Sequence, residues 1–560
     1  MKLNKIILSV AFALSLSSCG SDYLDTNPTD SNDKEATFSS IKGAYTALNG
    51  IAKSMNTQQY YFGSGFSGEN AIIRLYEDMP SQNWNYNAYA AGWSPLHNQS
   101  FHGRTSSIYD AYAWFYYYQL IGQANSIIAN IDNIGTASNQ SDRDFIKASA
   151  LTFRAYAFEK LVHYYCYRWQ DSNDGASQGL VLRTDESTGD YPISTLAETY
   201  KQIYADCDDA LALFASSSHK RASKEVYLAD ANVAHAVKAR AALTKQDYAT
   251  ALSEAKLARK GYPLMTNIEY GAGFYEQNQE WIFGSYNDEQ EQNWYWTFQT
   301  QEACNGNTAS ATTNGTATIG NELINRIPNN DYRKQLFLTQ DKLEAALAKK
   351  GKSFKYDATC INMTYGYLGW DVENNEFVIT NQDVYDVADS IVKSFGTKGA
   401  GAAYPSGYYY IDAQFKFWAK AMPGVGGLPF IRSSEMLLIE AEANYFLGNT
   451  ADAQANLVEL NATSGRNPEY TCSKTGDDLF NEIKDYREVE LWGEGFAWSD
   501  YKRWNIPVVR HSFKEGGNAH SAVAKTIPTD YGFNWTWQIP KAETDYNSFK
   551  KANATGPTAE

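Results

Sequence analysis

The chain has 560 residues, a formal net charge of −16 at pH 7 and 14% aromatic residues. This length can bury one large hydrophobic core or two to three ordinary ones. The acidic charge repels phosphate backbones and the sequence has no long basic stripe, so we expect no nucleic-acid partner.

The N-terminus has the features of a bacterial lipoprotein signal. Two lysines precede an apolar stretch at 6–16 that is too short to span a bilayer, and the sequence LSSCG follows. A large apolar residue and two small residues before a cysteine form a lipobox. The thiolate accepts diacylglycerol and the freed amine accepts an acyl chain such as palmitate, which together give stable anchoring. We predict a signal peptide at 1–18, lipidated Cys19 and a tether at 19–35.

Apolar periodicity predicts a mainly α chain. In 148–165, for example, Ala150, Phe153, Ala157 and Leu161 recur at helical spacing. No stretch after the signal approaches twenty uninterrupted apolar residues, so no transmembrane helix is expected in the mature chain. The predicted helices are 36–53, 108–132, 148–165, 196–214, 228–243, 247–259, 432–447 and 478–491.

Two segments, 234–258 and 435–457, have the pattern of tetratricopeptide-like helix pairs. Alanines at the expected crossing points allow two helices to approach closely, and Asp247 is placed to begin the second helix of the first pair. Two further pairs are looser candidates, at 108–165 and at 196–214 with its neighbours.

The composition changes in 54–107 and 267–424, which are rich in Gly, Asn, Ser, Thr and aromatic residues. Short β-like runs occur at 280–285 and 376–380, and the low-complexity tract 303–320 predicts a mobile loop. Loops this long in a compact domain are usually functional, so we interpret both segments as ligand-facing insertions. The helical scaffold is predicted at 36–53, 108–266 and 425–510, within one domain of residues 36–560.

The five cysteines after Cys19 are odd in number and far apart, which indicates neither a disulfide framework nor a CxxC metal site. We predict no cofactor. A structural cation such as calcium at DSNDG (171–175) is the alternative, although this segment departs from EF-hand spacing because glycine occupies its fifth position.

Six segments occur in the order found in one known protein family. They are CGSDYLD after the lipobox, WFYYYQLIGQAN (114–125), LTFRAYAFEKLVHYY (151–165), Ala239-Arg240, Arg432-Ser433-Ser434-Glu435 and REVELWGEGFAWSDYKRW (487–504). Through them the chain resembles the SusD/RagB family of Bacteroidetes outer-membrane lipoproteins over nearly its whole length. It departs from the family at CYRWQDSNDG (166–175), where a glycine and a proline are common.

The resemblance implies a mainly α fold with four tetratricopeptide-like helix pairs, which carry long loop and short-strand insertions. It also implies a non-enzymatic lipoprotein of the outer membrane that faces the cell exterior. Family members bind oligosaccharides, or peptides in some branches, and deliver them to a SusC-like TonB-dependent transporter. The expected partners are therefore an oligosaccharide or polysaccharide and such a transporter, with membrane contact through the lipid anchor only.

Two loop segments combine flat rings with amide groups. A sugar needs rings for its C–H face and amides or carboxylates for its hydroxyls. The resemblance implies that glycan-contacting aromatics come from these regions; the alternative is that the tryptophans attach the loops to the scaffold. Trp492 and Trp498 are interpreted as scaffold packing. The candidate ligand residues are Asp78, Asn83, Trp84, Tyr86, Tyr89 and Trp93 in the first segment and Trp294, Tyr295 and Trp296 in the second.

Three functions remain open on this sequence: glycan capture, peptide or protein-ligand binding on the same fold, and glycoside hydrolysis. A glycosidase needs two carboxylates about 5–10 Å apart, and no motif indicates such a pair. The aromatic–asparagine loops favour a sugar, because no comparable charged pocket for peptide termini emerges. We therefore predict a binding protein without enzymatic activity.

Overall fold

The computed structural model describes residues 34–548 with gaps, and it is mainly α. The gaps are 64, 87–93, 102–103, 287–296, 306–316, 354–367, 372, 374–375, 380, 397, 399–411 and 422–423. The longer helices are α1 Ile41–Ser54, α2 Ile108–Asn130, α3 Gln140–Tyr165, α4 Leu196–Ser216, α5 Ala231–Thr244, α6 Tyr248–Ala258, α7 Gln340–Lys349, α8 Gln382–Ser394, α9 Ser433–Phe446, α10 Thr450–Val458, α11 Gly476–Glu490 and α12 Ala497–Trp504.

Most of the remaining elements are short. Short α-helices occur at Lys34–Thr37, Gly68–Ala71, Ser94–His97, Asn267–Tyr270, Phe298–Glu302, Asn321–Arg326, Tyr332–Gln335 and Lys541–Tyr546, and π-helical turns at Ile72–Asp78 and Glu459–Thr463. The strands are β1 Trp84–Tyr86, β2 Gln178–Val181, β3 Ile193–Thr195, β4 Trp281–Gly284, β5 Ala317–Ile319, β6 Phe337–Leu338, β7 Leu368–Asp371, β8 Glu376–Ile379, β9 Ala413–Gln414, β10 Pro429–Arg432, β11 Val508–Val509 and β12 Thr526–Ile527.

The helices predicted from periodicity are confirmed, with one substantial difference in length. α3 begins at Gln140, eight residues before the predicted start at 148. Its first residues are polar in sequence, yet burial begins already at Arg143. This arginine donates to the carbonyls of Ile134 and Thr136 at 2.9 and 2.7 Å. A buried arginine bonded to backbone carbonyls interrupts the apolar pattern without interrupting the helix.

Both predicted helix pairs form. In the first pair, α5 packs on α6, and the alanines between them, such as Ala241 and Ala255, are fully buried. Asp247 caps α6 by accepting the Thr250 amide at 3.3 Å. In the second pair, Gly448 has a φ of +78° between α9 and α10, a conformation that glycine adopts at little cost. The packing continues from α6 to α9, and from α2 through α3 to α4.

The insertion 267–424 contains helices that the sequence analysis did not predict. α7 and α8 pack against each other and, with β6 and β9, form a second, smaller core. Leu343 and Leu347 on α7 and Val384 and Val392 on α8 are buried there. Their spacing is helical, but the surrounding polar residues dilute it, which explains why this stretch was interpreted as loops and short strands.

The insertion 54–107 is also less loop-like than predicted. A short helix at Gly68–Ala71 continues directly into a π-helical turn at Ile72–Asp78, and both are buried throughout. Glu69 belongs to this segment and accepts hydrogen bonds from Tyr116, Tyr117 and Tyr156. A buried carboxylate bonded by tyrosines makes this stretch part of the core, although its composition is polar.

Strands from both insertions join in one antiparallel sheet of order β1-β5-β9-β6. Trp84 of β1 pairs with Ile319 of β5, and Thr318 pairs with Ala413 of β9. β5 lies inside the tract 303–320 that was predicted to be a mobile loop. That prediction is wrong for 317–319, whose side chains are buried, and 306–316 lie outside the described residues. The predicted runs at 280–285 and 376–380 do form strands, β4 and β8.

The chain after the predicted scaffold also packs on it. Trp537 donates its amide to the Tyr164 carbonyl of α3 at 2.8 Å, and the two rings stack with centroids 4.6 Å apart. No helix in the described part of the chain is long and apolar enough to cross a membrane. Cys166, Cys207, Cys304 and Cys472, the cysteines within the described residues, are free.

A buried ion cluster joins the large insertion to the scaffold. The insertion leaves through β4 and returns through β10, which pair antiparallel, and Arg432 ends β10. The Arg432 guanidinium donates to carboxylates of Glu494 at 2.6 Å, Glu280 at 2.7 Å and Glu490 at 2.8 Å. Glu280 precedes β4, Glu490 ends α11 and Glu494 follows that helix. Arg432 at the end of β10 therefore connects three parts of the chain.

Two further cations complete this cluster. Lys416 comes from inside the insertion and donates to Glu494 at 2.6 Å, and Arg333 donates to Glu490 at 3.0 Å. Burial alone would raise the pKa of the Glu490 carboxyl, but the neighbouring arginines hold it well below its usual range. Burial lowers the pKa of Lys416 to about 8. The charges are therefore balanced by one another rather than by water.

We predict that Glu490→Gln destabilises the fold by about 3–5 kcal/mol, because it leaves buried guanidinium groups without their counter-charge. Urea denaturation monitored by tryptophan fluorescence measures this change. Asp485→Asn on the same helix is the matched control, since Asp485 pairs with half-exposed Arg326 and should cost less than about 1 kcal/mol. Equal losses for the two variants would contradict the role assigned to the cluster.

Candidate ligand-binding site

The structure describes three of the nine predicted ligand residues completely, and all three are buried. Asp78, Asn83 and Trp84 lie in the interior. Tyr86 ends β1, and its side chain lies outside the described part of the structure. The other five predicted residues also lie outside the described part of the chain and stay predictions: Tyr89, Trp93, Trp294, Tyr295 and Trp296.

Trp84 belongs to the core rather than to a ligand surface. Its side chain is 1% exposed, and its ring stacks on Trp492 with centroids 4.5 Å apart. The Trp492 indole donates to the Asn83 carbonyl at 2.6 Å. A sugar needs a free ring face, so the prediction that Trp84 contacts glycan is corrected: it attaches β1 to the C-terminal motif. The interpretation of Trp492 and Trp498 as packing residues is confirmed by their burial.

Asp78 and Asn83 line the same interior cavity as Trp84. The cavity has a volume of about 20 Å³, which holds a water molecule but not a sugar ring. Asn83 donates to the Tyr501 hydroxyl at 2.7 Å, and Asp78 accepts the Gly495 amide at 3.2 Å. Burial raises the pKa of the Asp78 carboxyl well above its ordinary value. Both side chains are thus committed to internal contacts.

The two predicted ligand loops start from one aromatic cluster. The first loop follows β1, which begins at Trp84, and the second precedes Thr297 and Phe298. Trp492 contacts Trp84, Phe417 lies 6.3 Å from Trp492, and Phe298 lies 5.0 Å from Phe417 between centroids. Aromatic contacts, two stacked and one edge-to-face, therefore connect the bases of both loops, although more than 400 residues of sequence separate Trp84 from Trp492.

A polar cleft lies beside β1. We call it the amide cleft, and its main side chains are Gln82, Asn85, Asn321, Glu322, His511 and Asn518. Trp84 and Asn85 are neighbours in a strand, so their side chains point to opposite faces. Trp84 packs in the aromatic core, while Asn85 contributes to the cleft.

Asn518 organises the floor of the amide cleft. Its carbonyl oxygen accepts from the side chain of Asn85 at 3.0 Å and from the Asn321 amide at 3.1 Å. Its side-chain nitrogen donates to the Ile319 carbonyl and to Asp412, both at 2.8 Å. All its partners come from the two insertions, so the C-terminal segment holds their sheet in place.

Arg510 supports this floor from behind. It donates to the backbone carbonyls of Val523, Pro80, Ser81 and His97 at 2.6–3.1 Å. Burial lowers the pKa of Arg510 to about 10. Its donors are directed to the backbone, so it fixes the shape of the cleft rather than offering charge to a ligand.

The rim of the amide cleft carries two titratable groups. His511 Nδ1 lies 2.5 Å from Glu322 Oε1, and their side chains are 42% and 49% exposed. Gly517 forms the opposite wall, where a Cβ atom would come within 2.0 Å of the His511 carbonyl oxygen. The close approach of the backbone at this position requires glycine.

Sequence reasoning missed most of the amide cleft. The predicted residue Asn83 also lines the cleft, and Gln82 and Asn85 lie inside the same segment that was singled out. Four further lining residues do not: Asn321, Glu322, His511 and Asn518. They are spread over two regions about 190 residues apart, and no spacing rule connects them. The polar pair Asn321-Glu322 after the low-complexity tract was the only local signal, and it resembles an ordinary helix start.

The described residues bring together no group of three or more His, Cys, Asp or Glu side chains able to hold a metal ion. At the segment 171–175, Asp171 accepts a hydrogen bond from Arg168 at 2.6 Å. Asn173, Asp174 and Gly175 all have positive φ angles there, which makes this segment a left-handed turn.

Comparison with known proteins gives two matching family profiles. The SusD family profile matches residues 258–555, and a profile described as starch-binding associating with outer membrane matches residues 22–243. No curated protein matches the chain at a significant level.

Solved structures share the fold. A SusD-like carbohydrate-binding protein from Bacteroides vulgatus ATCC 8482 superposes with a TM-score of 0.69 at 21% identity, covering 93% of this chain and 99% of that one. A SusD superfamily protein from Bacteroides thetaiotaomicron VPI-5482 superposes with a TM-score of 0.63 at 21% identity, covering 91% of this chain and 98% of that one. A SusD superfamily protein from Bacteroides fragilis superposes with a TM-score of 0.62 at 16% identity, covering 92% of this chain and 99% of that one. The similarity extends over almost the full length of each chain.

We predict that Trp84→Ala lowers the stability of the ligand-free protein by about 3–5 kcal/mol, because it leaves a cavity beside Trp492. Chemical denaturation measures the loss. Gln82→Ala, two residues earlier and only partly buried, is the control and should cost about 1 kcal/mol. A Trp84→Ala protein as stable as the Gln82→Ala protein would show that the ring is not a core residue.

Asp412, below the amide cleft, gives a pH prediction. Burial raises the pKa of its carboxyl to about 7, so between pH 4 and 7 the folded protein keeps a proton that the unfolded chain releases. Stability should therefore fall as pH rises through this window. Asp412→Asn removes the effect, and asparagine tolerates the residue's positive φ of 60°. We expect this variant to be about 2 kcal/mol more stable than wild type at pH 8, with little difference at pH 4.

Proposed function

This chain belongs to the SusD family, and from that premise we propose that it captures glycans at the cell surface and delivers them to a SusC-like TonB-dependent transporter. In this proposal, lipidated Cys19 anchors the protein in the outer membrane with its folded domain facing the exterior. The observation that carries the proposal is the match of residues 22–243 to a family described as starch-binding and associated with the outer membrane.

The amide cleft offers polar groups to sugar hydroxyls. Its own volume is only about 10 Å³, so in this proposal the sugar ring lies outside it, against the adjoining loops. Carbohydrate hydroxyls both donate and accept, and the rim offers the Glu322 carboxylate as acceptor, with the His511 ring and the Gln82 amide beside it. Aromatic faces would come from the adjoining loops. The proposed stacking residues are Tyr86, Tyr89, Trp93, Trp294, Tyr295 and Trp296.

Binding without hydrolysis fits the cleft better than catalysis. Two carboxylates must flank a glycosidic bond for hydrolysis, and the described lining of the amide cleft has one, Glu322. Asp412 lies below the floor, bonded to Asn518 and fully buried. The proposal is therefore capture of an intact glycan rather than its cleavage.

A peptide ligand is the second candidate on this fold. Capture of a peptide carboxylate requires a cation with free donors, and Arg510, the cation of the cleft, donates to four backbone carbonyls. The described lining thus favours a neutral polyhydroxyl ligand over a charged chain terminus.

The deciding experiment uses the soluble protein without residues 1–19. Calorimetric titration against plant, microbial and host polysaccharides, beside a peptide panel, should show binding to a glycan and to no peptide. Reducing-end assays on the same glycan should show no turnover. Binding to peptides alone, or release of new reducing ends, would overturn the proposal. Copurification of the lipidated protein with a β-barrel from outer membranes tests its transporter partner.

We predict that Trp294→Ala weakens glycan binding about tenfold, because a flat ligand face stacked on an aromatic ring contributes about 1–3 kcal/mol. Glu322→Ala should weaken binding about three- to tenfold through the loss of a hydroxyl acceptor. Both variants should keep the wild-type melting temperature. Glu344→Ala, an exposed carboxylate on α7, is the matched control and should bind normally. Affinity that is unchanged in both Trp294→Ala and Glu322→Ala would place the ligand elsewhere.

A further inference from the structure

A patch of exposed apolar side chains lies on α2 and on the loop that packs against it. Phe115 and Ile108 are both exposed, and they lie two helical turns apart on the same face of α2. Tyr61 lies in the 3-10 turn Tyr60–Phe62, and its ring stacks on Phe115 with centroids 5.9 Å apart. We call Tyr61, Ile108 and Phe115 the aromatic patch. None of the three lines the amide cleft.

The loop that carries Tyr61 is held in place from below. The Gln59 amide donates to the Phe66 carbonyl at 2.7 Å, which closes the loop on itself. Phe62 is buried beneath the patch, and its ring centroid lies 5.0 Å from that of Tyr61 and 5.1 Å from that of Phe115. Tyr61 is nevertheless 84% exposed. A supported ring loses little conformational freedom when a ligand covers it, so it is well placed to bind one.

The surface around the patch is almost free of charge. Residues 54–131 include six Asp, Glu, Lys or Arg residues, although such residues make up 20% of the chain. Arg104 is exposed and the other five are buried. The same range contains β1 and the predicted ligand residues Tyr86, Tyr89 and Trp93. An uncharged ligand can cover this face without stripping water from charged groups, which would be costly.

The size of the patch favours a glycan over a protein partner. A stable protein interface buries about 800 Å² on each partner, whereas a fully covered aromatic side chain buries about 150–250 Å². Three side chains, two of them exposed only in part, are therefore too small an area for a stable protein contact but sufficient for the C–H face of a sugar.

Amide groups for the sugar hydroxyls lie beside the rings. Gln119 follows Phe115 by one helical turn on the same face of α2, and it is partly exposed. Gln58 belongs to the loop of Tyr61 and is also partly exposed, with its side chain donating to the Gly63 carbonyl at 3.4 Å. The patch thus combines a flat ring with amides, as a neutral sugar requires.

We propose that the aromatic patch is a second contact surface for a neutral glycan chain, separate from the amide cleft. This inference rests on the proposed function, because it assigns the same class of ligand to another face of the protein. Tyr61 stacks on the C–H face of a sugar, and Gln58 and Gln119 bond its hydroxyls. A polysaccharide that reaches both surfaces is held more tightly than by either one alone.

Hydroxyl-radical footprinting of the protein without residues 1–19 tests the patch directly. The probes are soluble starch, xylan and galactomannan, three neutral polysaccharides. The one that binds should lower the oxidation of Tyr61 about threefold, because a stacked ligand covers the exposed ring. Tyr546 is the internal control: it is 88% exposed, and the short helix that it ends carries an ion pair between Lys541 and Asp545. Equal oxidation losses at Tyr61 and Tyr546 would overturn the inference.

The outcomes of the polysaccharide screen separate this inference from the proposed function. Binding of acidic polysaccharides alone would overturn the neutral ligand proposed here, while capture of a glycan would stand. Binding of no polysaccharide at all would overturn the proposed function and this inference with it.

Affinity electrophoresis in gels that contain the bound polysaccharide tests the patch by mutation. Tyr61→Ala should weaken the apparent affinity about tenfold, through the loss of one stacking ring, and should keep the wild-type melting temperature. Tyr546→Ala is the matched control and should bind as the wild type does. Unchanged affinity of Tyr61→Ala, with Trp294→Ala still impaired, would overturn this inference alone. Loss of copurification with a β-barrel in Tyr61→Ala, with glycan binding intact, would assign the patch to a protein contact instead.

Discussion

The buried ion cluster around Arg432 and Glu490 is the constraint on which the rest of the structure depends. The insertion between β4 and β10 is nearly 150 residues long, and its two ends pair with each other in a two-stranded ladder whose register is irregular. Backbone pairing of this size fixes an orientation weakly. Three buried cations fix the orientation instead: Arg432, Lys416 and Arg333. The charge of each is balanced only when carboxylates from another part of the chain are in place.

The position of the amide cleft also depends on packing in the core. β1 is three residues long, and its two faces serve different purposes. Trp84 packs on Trp492, next to the ion cluster at Glu490 and Glu494, while Asn85 points toward the amide cleft. The position of the cleft is thereby determined by the core packing behind it. The amide cleft is therefore carried on the packed core and not only on the segment that follows β1.

The sequence predicted the helical scaffold well because helical periodicity is a local signal. Alanine crossings such as Ala241 and Ala255, and caps such as Asp247, depend on neighbours within a few residues. The site was predicted less well. Asp78 and Asn83 have the composition of a polar loop, but Asn83 bonds Tyr501 across more than 400 residues of sequence. Polar residues satisfied by distant partners are indistinguishable in sequence from polar residues that face solvent.

The sequence by itself determined the lipobox expectation, the helix pairs and the family resemblance, because each depends on residue types at short and fixed separations. Only the tertiary structure decided that Trp84 is a core residue, that Asn85 and Asn518 meet in the amide cleft, and that Tyr61 stacks on Phe115 at the surface. The physical reason is the same in each case. Burial and charge balance depend on which distant segments pack together, and a linear pattern does not record that packing.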